Sequence, residues 1–190
     1  MENQTDEISI NDIEFSELMD LRVDYAFKLL FATGETHRLI SLLNAIFENK
    51  QIPRVIDALE VVNPFLEKAA IEDKLAILDI RATLQDGTSI LIEMHLYDRL
   101  ALKLKTMRSL ARVFGEDLSA GQDYTEQNSA ICIAFTNGPV PDVTGKPVKK
   151  VHSLFLTMER DSYEVLLSEM ELHFIDMKAF AKYCNEQIQS

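Results

Sequence analysis

From residue 76 the even positions run Ala76, Leu78, Ile80, Ala82 and Leu84, and from residue 90 they run Ile90, Ile92, Met94 and Leu96. The odd positions carry Asp79, Arg81 and Thr83 in the first segment, and Ser89, Leu91, Glu93 and His95 in the second. Alternation of this kind marks two strands with one apolar face. Gln85-Asp86-Gly87 lies between them and suits a three-residue hairpin loop, whose last position takes glycine in the left-handed conformation. The loop pairs Leu84 with Thr88, and then Ala82 with Ile90, Ile80 with Ile92 and Leu78 with Met94. In that register Asp79 faces Glu93, and Ile77 faces His95. A two-residue Asp86-Gly87 turn would instead pair Asp79 with Met94 and mix the two faces, which burial forbids.

The remaining pattern is mainly helical before this hairpin and mixed after it. Asp24 is a candidate cap for a helix that includes Phe27, Leu29, Leu30 and Phe31 and stops at Ala32-Thr33-Gly34. Residues 35–49 form a stronger helix, with Leu39, Ile40, Leu42, Leu43, Ile46 and Phe47 on one broad stripe. Residues 55–62 read as a strand, broken at Asn63-Pro64. After the hairpin comes a long helix over 98–120, a strand over 130–135, a proline- and glycine-rich loop over 136–149, strands over 151–157 and 171–175, and a closing helix over 177–189. On the long helix, Leu100, Leu104, Met107, Leu110, Ala111 and Phe114 make the expected core side. Lys105, Arg108 and Arg112 fall at i, i+3 and i+7 as a basic stripe. Helices, a hairpin, a helix and further strands in this order predict an α/β fold with a mixed sheet flanked by helices.

A chain of 190 residues with 47% hydrophobic and 26% charged content fits one globular domain. It has no run of 18 or more apolar residues, which excludes a membrane span of the helical kind. The start of the chain is acidic and polar, unlike a signal or transit peptide. Cys132 and Cys184 are far apart and without metal-ligand spacing, so both are expected as reduced, buried thiols. A cytoplasmic location follows as an expectation. The net charge of −12 opposes nucleic-acid binding only if it is spread evenly. It is not: residues 1–20 hold seven acids and no Lys or Arg, leaving 24 acids and 19 bases in the rest. The expected organisation is an acidic, weakly ordered arm over 1–20 and a single domain over 21–190.

Two carboxylates directly opposite each other in a sheet repel by up to about 1 kcal/mol. Solvent, a basic neighbour such as Arg81 or Lys74, or a divalent cation would each offset this. His37, His152 and His173 show no metal spacing and are expected as ordinary surface or core residues. Met158 and Met170 are expected in core or loop. There is no glycine-rich phosphate loop and no Ser-His-Asp or Cys-His grouping.

Asp79, the short hairpin and Ile92-Glu93-Met94-His95 together resemble the core of the PD-(D/E)XK nuclease superfamily. Asp-Tyr-Ala-Phe-Lys-Leu-Leu-Phe at 24–31 resembles the opening motif of its transposase-like, recombination-promoting branch. Ser41-Leu-Leu-Asn-Ala-Ile, the spacing of Leu118, Gly121 and Tyr124, and His173-Phe-Ile-Asp-Met are similar to further segments of that branch. The resemblance covers about residues 24–180. It implies a restriction-endonuclease-like fold and Mg²⁺- or Mn²⁺-dependent hydrolysis of DNA, in recombination, mobile elements or defence against phage. By the same resemblance Asp79, Glu93 and the carbonyl of Met94 are metal ligands, Asp24 is a third acid, and Lys105, Arg108 and Arg112 contact DNA. The position held by Lys in much of the superfamily, and by Gln in this branch, is His95. That departure implies an alternative: a weak or inactive relative that binds DNA or protein. The partners expected are DNA and, as an option left open, a second copy of the chain.

Overall fold

A computed structural model describes residues 27, 30–32, 36–62, 80–95, 101–116, 118 and 121–188, the last three by backbone alone. The described elements are α1 (His37–Asn49), β1 (Leu59–Val61), β2 (Ile80–Leu84), β3 (Ser89–His95), α2 (Leu102–Glu116), β4 (Ala130–Thr136), β5 (His152–Met158), β6 (Val165–Asp176) and α3 (Met177–Ile188). The six strands form one sheet in the order β1-β2-β3-β4-β6-β5. Its β1–β2–β3 part is antiparallel, β3–β4–β6 is parallel, and β5 returns antiparallel to β6.

The hairpin has the expected register, with Ala82 paired to Ile90 and Ile80 to Ile92. Its loop closes through Gly87 N–H to Leu84 C=O at 3.0 Å and Leu84 N–H to Thr88 C=O at 2.9 Å. Gly87 has φ +85°, the left-handed conformation that favours glycine, and a Cβ there would displace the side-chain end of Asn128, 2.7 Å away. Asp79, Asp24 and the acidic arm lie outside the described residues; of the helix expected after Asp24, Phe27, Leu30 and Phe31 are helical and Ala32 is in a turn, as expected.

Two apolar layers sandwich the sheet. On one side Leu39, Leu43, Ile46 and Phe47 of α1 pack on Ile80, Ala82, Ile90, Ile92, Ile131 and Ile133. On the other, Leu102, Leu110 and Val113 of α2 pack on Leu91, Ala130, Cys132, Ala134, Leu172 and Phe174. Central strands between two helical layers are buried on both faces, which is why β3 and β4 read as nearly continuous apolar runs. At the end of β6, Asp176 Oδ1 accepts from the N–H groups of Lys178 and Ala179, capping α3 where the strand ends.

Three expectations about elements need correction. The strand expected over 55–62 spans only Leu59–Val61. Strand β6 begins at Val165, not at 171, because its first residues pair with β5 in a hairpin rather than with the sheet centre. The core side of α2 is Leu102, Thr106, Leu110 and Val113, while Leu104 is 77% exposed and Met107 48% exposed. Counting apolar residues misranks Thr106, whose hydroxyl donates to Leu102 C=O at 3.0 Å and so enters the core satisfied. Cys132 and Cys184 form no disulfide; Cys132 is buried as expected, and Cys184 is only half-buried. Met158 is an exposed residue of β5, and Met170 packs partly on the second core layer. Among the described residues no helix is long and apolar enough to cross a membrane.

Candidate active site

Strand β3 turns its even side chains toward α1 and its odd ones toward α2. Glu93 is therefore carried under α2, beside Ala134 of β4, and is 0% exposed. A carboxylate in such a place must be paired or compensated. His95 is two residues along the same face, and its Nε2 is 2.7 Å from Glu93 Oε2. The other oxygen, Oε1, is buried and has no hydrogen-bond partner among the described residues. Burial pushes the Glu93 carboxyl up, but hydrogen bonds from His95 and Ser109, with the positive charges of His95 and Lys105, outweigh that and hold it below the usual range. Glu93 is accordingly a buried carboxylate held toward its ionised form, with one oxygen unpartnered among the described residues.

Ser109 and Lys105 stand one turn apart on α2 and form the flank that meets Glu93. Sequence reasoning passed over Ser109; the usable signal was its i+4 spacing from Lys105. The expected basic stripe is divided by this geometry. Lys105 acts on Glu93. Arg112 is exposed and pairs with Glu116 at 3.6 Å, and the same Glu116 takes Arg81 Nη1 at 2.7 Å. Arg108 is exposed and makes no ion pair among the described residues. Arg81 is thus directed to Glu116, and the group that closes on Glu93 is His95. Met94 points to the opposite, apolar layer, as required of an even position, so only its carbonyl is a candidate ligand. Asp79 and Asp24 lie outside the described residues. Among the described residues, no group of three His, Cys, Asp or Glu side chains is placed to hold a metal ion.

A second polar cluster lies on the α1 side of the sheet. Arg54 Nη1 pairs with Glu171 Oε1 at 3.1 Å, and Glu171 Oε2 accepts from His173 Nε2 at 3.1 Å. His173 Nδ1 is 2.9 Å from His152 Nε2, and His152 Nδ1 is 3.0 Å from Asn49 Oδ1. Burial first, then the charges of His173 and Lys50, push the His152 imidazole down to about 4. This chain ties α1 to β5 and β6. Because it occupies the other face from Glu93, it is a separate feature, and the two histidines are core residues, as expected.

Comparison with known proteins gives one further fact. The family described as PD-(D/E)XK nuclease family transposase matches residues 21–190. No curated protein and no solved structure matches.

Proposed function

The chain belongs to the PD-(D/E)XK nuclease family transposases, a nuclease group whose members generally use divalent metals, and on that premise we propose that it hydrolyses phosphodiester bonds in DNA with Mg²⁺ or Mn²⁺. The observation that carries this is the buried Oε1 of Glu93, unpartnered among the described residues, on a carboxylate held toward its ionised form. Leaving such an oxygen without a donor costs about 1–3 kcal/mol or more, and a cation would remove that cost. Asp79 is the proposed second ligand: the register Ile80–Ile92, continued by one residue, leads to Asp79 beside Glu93. Two carboxylates and the Met94 carbonyl form a hard-oxygen donor set suited to Mg²⁺. When bound, the metal supplies Lewis-acid polarisation of the phosphoryl group. The protein's own part is then assigned to neighbouring side chains. Lys105 offsets negative charge beside Glu93, Ser109 orients that carboxylate, and His95 is the residue that accepts or relays a proton once it leaves Glu93. Asp24 remains a proposed third acid, with residues 21–190 as one nuclease-like domain. Arg108 and Arg112 are proposed to hold the DNA backbone, in a recombination, mobile-element or phage-defence setting.

A second reading is favoured by the burial of Glu93 beneath His95: a relative that keeps the fold and binds DNA without cutting it. Nicking of supercoiled plasmid by the purified chain in Mg²⁺ or Mn²⁺ decides between them. On the first reading the wild type nicks slowly, Glu93→Gln and Asp79→Asn abolish cutting, and His95→Ala lowers the rate by roughly 10²-fold. Cutting that survives both carboxylate changes places the chemistry elsewhere. A silent wild type that begins to cut as His95→Gln establishes the second reading.

A further inference from the structure

The two edges of the sheet are built differently. The β1 edge is three residues long and carries an exposed Glu60. Shortness and charge are ordinary protections of a free edge. Strand β5, the terminal strand at the other side among the described residues, is seven residues long and contains neither a formally charged carboxylate or ammonium nor a proline. The irregularity in its pairing follows Leu156–Glu171 with Thr157–Leu167, so the extra residues belong to β6 and β5 has no insertion of its own. Around this edge Phe155 is 44% exposed and Leu166 is 81% exposed.

The register shows which backbone groups of β5 are not used by β6. Asp176 N–H donates to Val151 C=O. Positions 151 and 176 are therefore a bonded pair, and by alternation so are 153–174 and 155–172. His152, Leu154 and Leu156 then turn their N–H and C=O away from β6, and of these the His152 C=O already accepts from Lys50 Nζ at 2.6 Å, which leaves its second lone pair for a partner strand. The ends of β5 also differ in charge. Exposed Lys149 and Lys150 precede it, and exposed Glu159, Asp161 and Glu164, with Arg160 among them, follow it. An antiparallel copy of the same strand sets each basic end against an acidic one, twice, by symmetry. A parallel copy sets like charges together.

We propose that β5 pairs antiparallel with the β5 of a second copy of this chain, across a two-fold axis beside Leu154, so that two six-stranded sheets become one. Leu154 pairs with Leu154 of the second copy, Leu156 with His152, and Met158 falls opposite Lys150. The axis is normal to the sheet, so both α2 layers stay on one face. Glu93 aligns through Ala134 and Phe174 with Ser153, next to the axis. Seven strand spacings of about 4.8 Å therefore separate the two Glu93 residues, roughly 34 Å in all. That is near one turn of duplex DNA. The match to DNA, unlike the dimer, rests on the nuclease reading.

Sedimentation of the full chain across a concentration series tests the dimer without reference to cleavage. Met158→Glu, opposite Lys150, is expected to tighten the dimer, and Met158→Lys to weaken it, each by several-fold to about tenfold in dissociation constant. Leu154→Pro, which removes an outward N–H at a position where an edge strand tolerates proline, should give a monomer with the circular dichroism of the wild type. A wild type that is monomeric throughout overturns the proposal. So does a dimer that responds alike to both Met158 changes, or one dissociated by Leu104→Lys with Met107→Lys instead. A dimer that cuts no DNA keeps the interface and sinks the nuclease reading; a Leu154→Pro monomer that makes the same paired nicks refutes the spacing.

Discussion

Glu93 and His152 are both buried polar residues on strands, and they are compensated in opposite ways. Glu93 keeps its charge, because His95, Ser109 and Lys105 together outweigh the penalty of burial. His152 loses its charge, because burial, His173 and Lys50 all act against it and push its pKa down to about 4. The consequence for stability has a definite sign. In the unfolded chain His152 binds a proton below about 6.5, whereas in the folded protein it does so only below about 4. Between these values the unfolded state holds more protons, so stability falls as pH is lowered through the window, by about 3 kcal/mol at most from this group. Below it the contribution stops changing. Glu171, whose carboxyl is held low by His173 and Arg54 against the effect of burial, adds its own loss at lower pH. Denaturant unfolding between pH 4 and 7 should show this slope, and His152→Gln should flatten it. An unchanged slope in His152→Gln would mean that the group stays protonated in the folded protein.

At the scale of elements, α2 is where pattern and structure part. Leu104, Met107 and Ala111 have the spacing of a core face, yet they are exposed, and the helix buries Leu102, Thr106, Leu110 and Val113. The helix is turned so that the Lys105–Ser109 flank covers Glu93, a polar demand that apolar counting does not register. Truncation separates the two faces. Leu110→Ala should cost about 2–5 kcal/mol of unfolding free energy, the range for a buried leucine, and Leu104→Ala should stay within about 0.5 kcal/mol. Comparable losses at both positions would show that Leu104 is covered in solution. The hairpin shows the reverse case: its loop length, glycine position and pairing were legible, because one apolar face and a left-handed glycine leave a single register.

For the whole molecule, the charge of −12 and the basic flank of α2 act at different ranges. Screening at physiological salt limits exposed charges to about 8 Å, so DNA at the flank is governed by its local cations rather than by the total. Replacing Arg108 and Arg112 by alanine should flatten the dependence of DNA affinity on salt by roughly 2 units of slope, which filter binding across salt concentrations measures. An unchanged slope would leave these residues as ordinary surface. The sequence by itself determined the α/β class, the hairpin register, and Glu93 with His95 on one face, since each follows from local period and turn chemistry. Only the tertiary structure decided that Glu93 is wholly buried, that Arg81 goes to Glu116 while His95 goes to Glu93, that Ser109 joins the site, and that His152, His173 and Glu171 meet. These depend on how helices rotate over a sheet and on strands joined far apart in the chain, where burial and the pairing of charge are settled by packing rather than by neighbours in sequence.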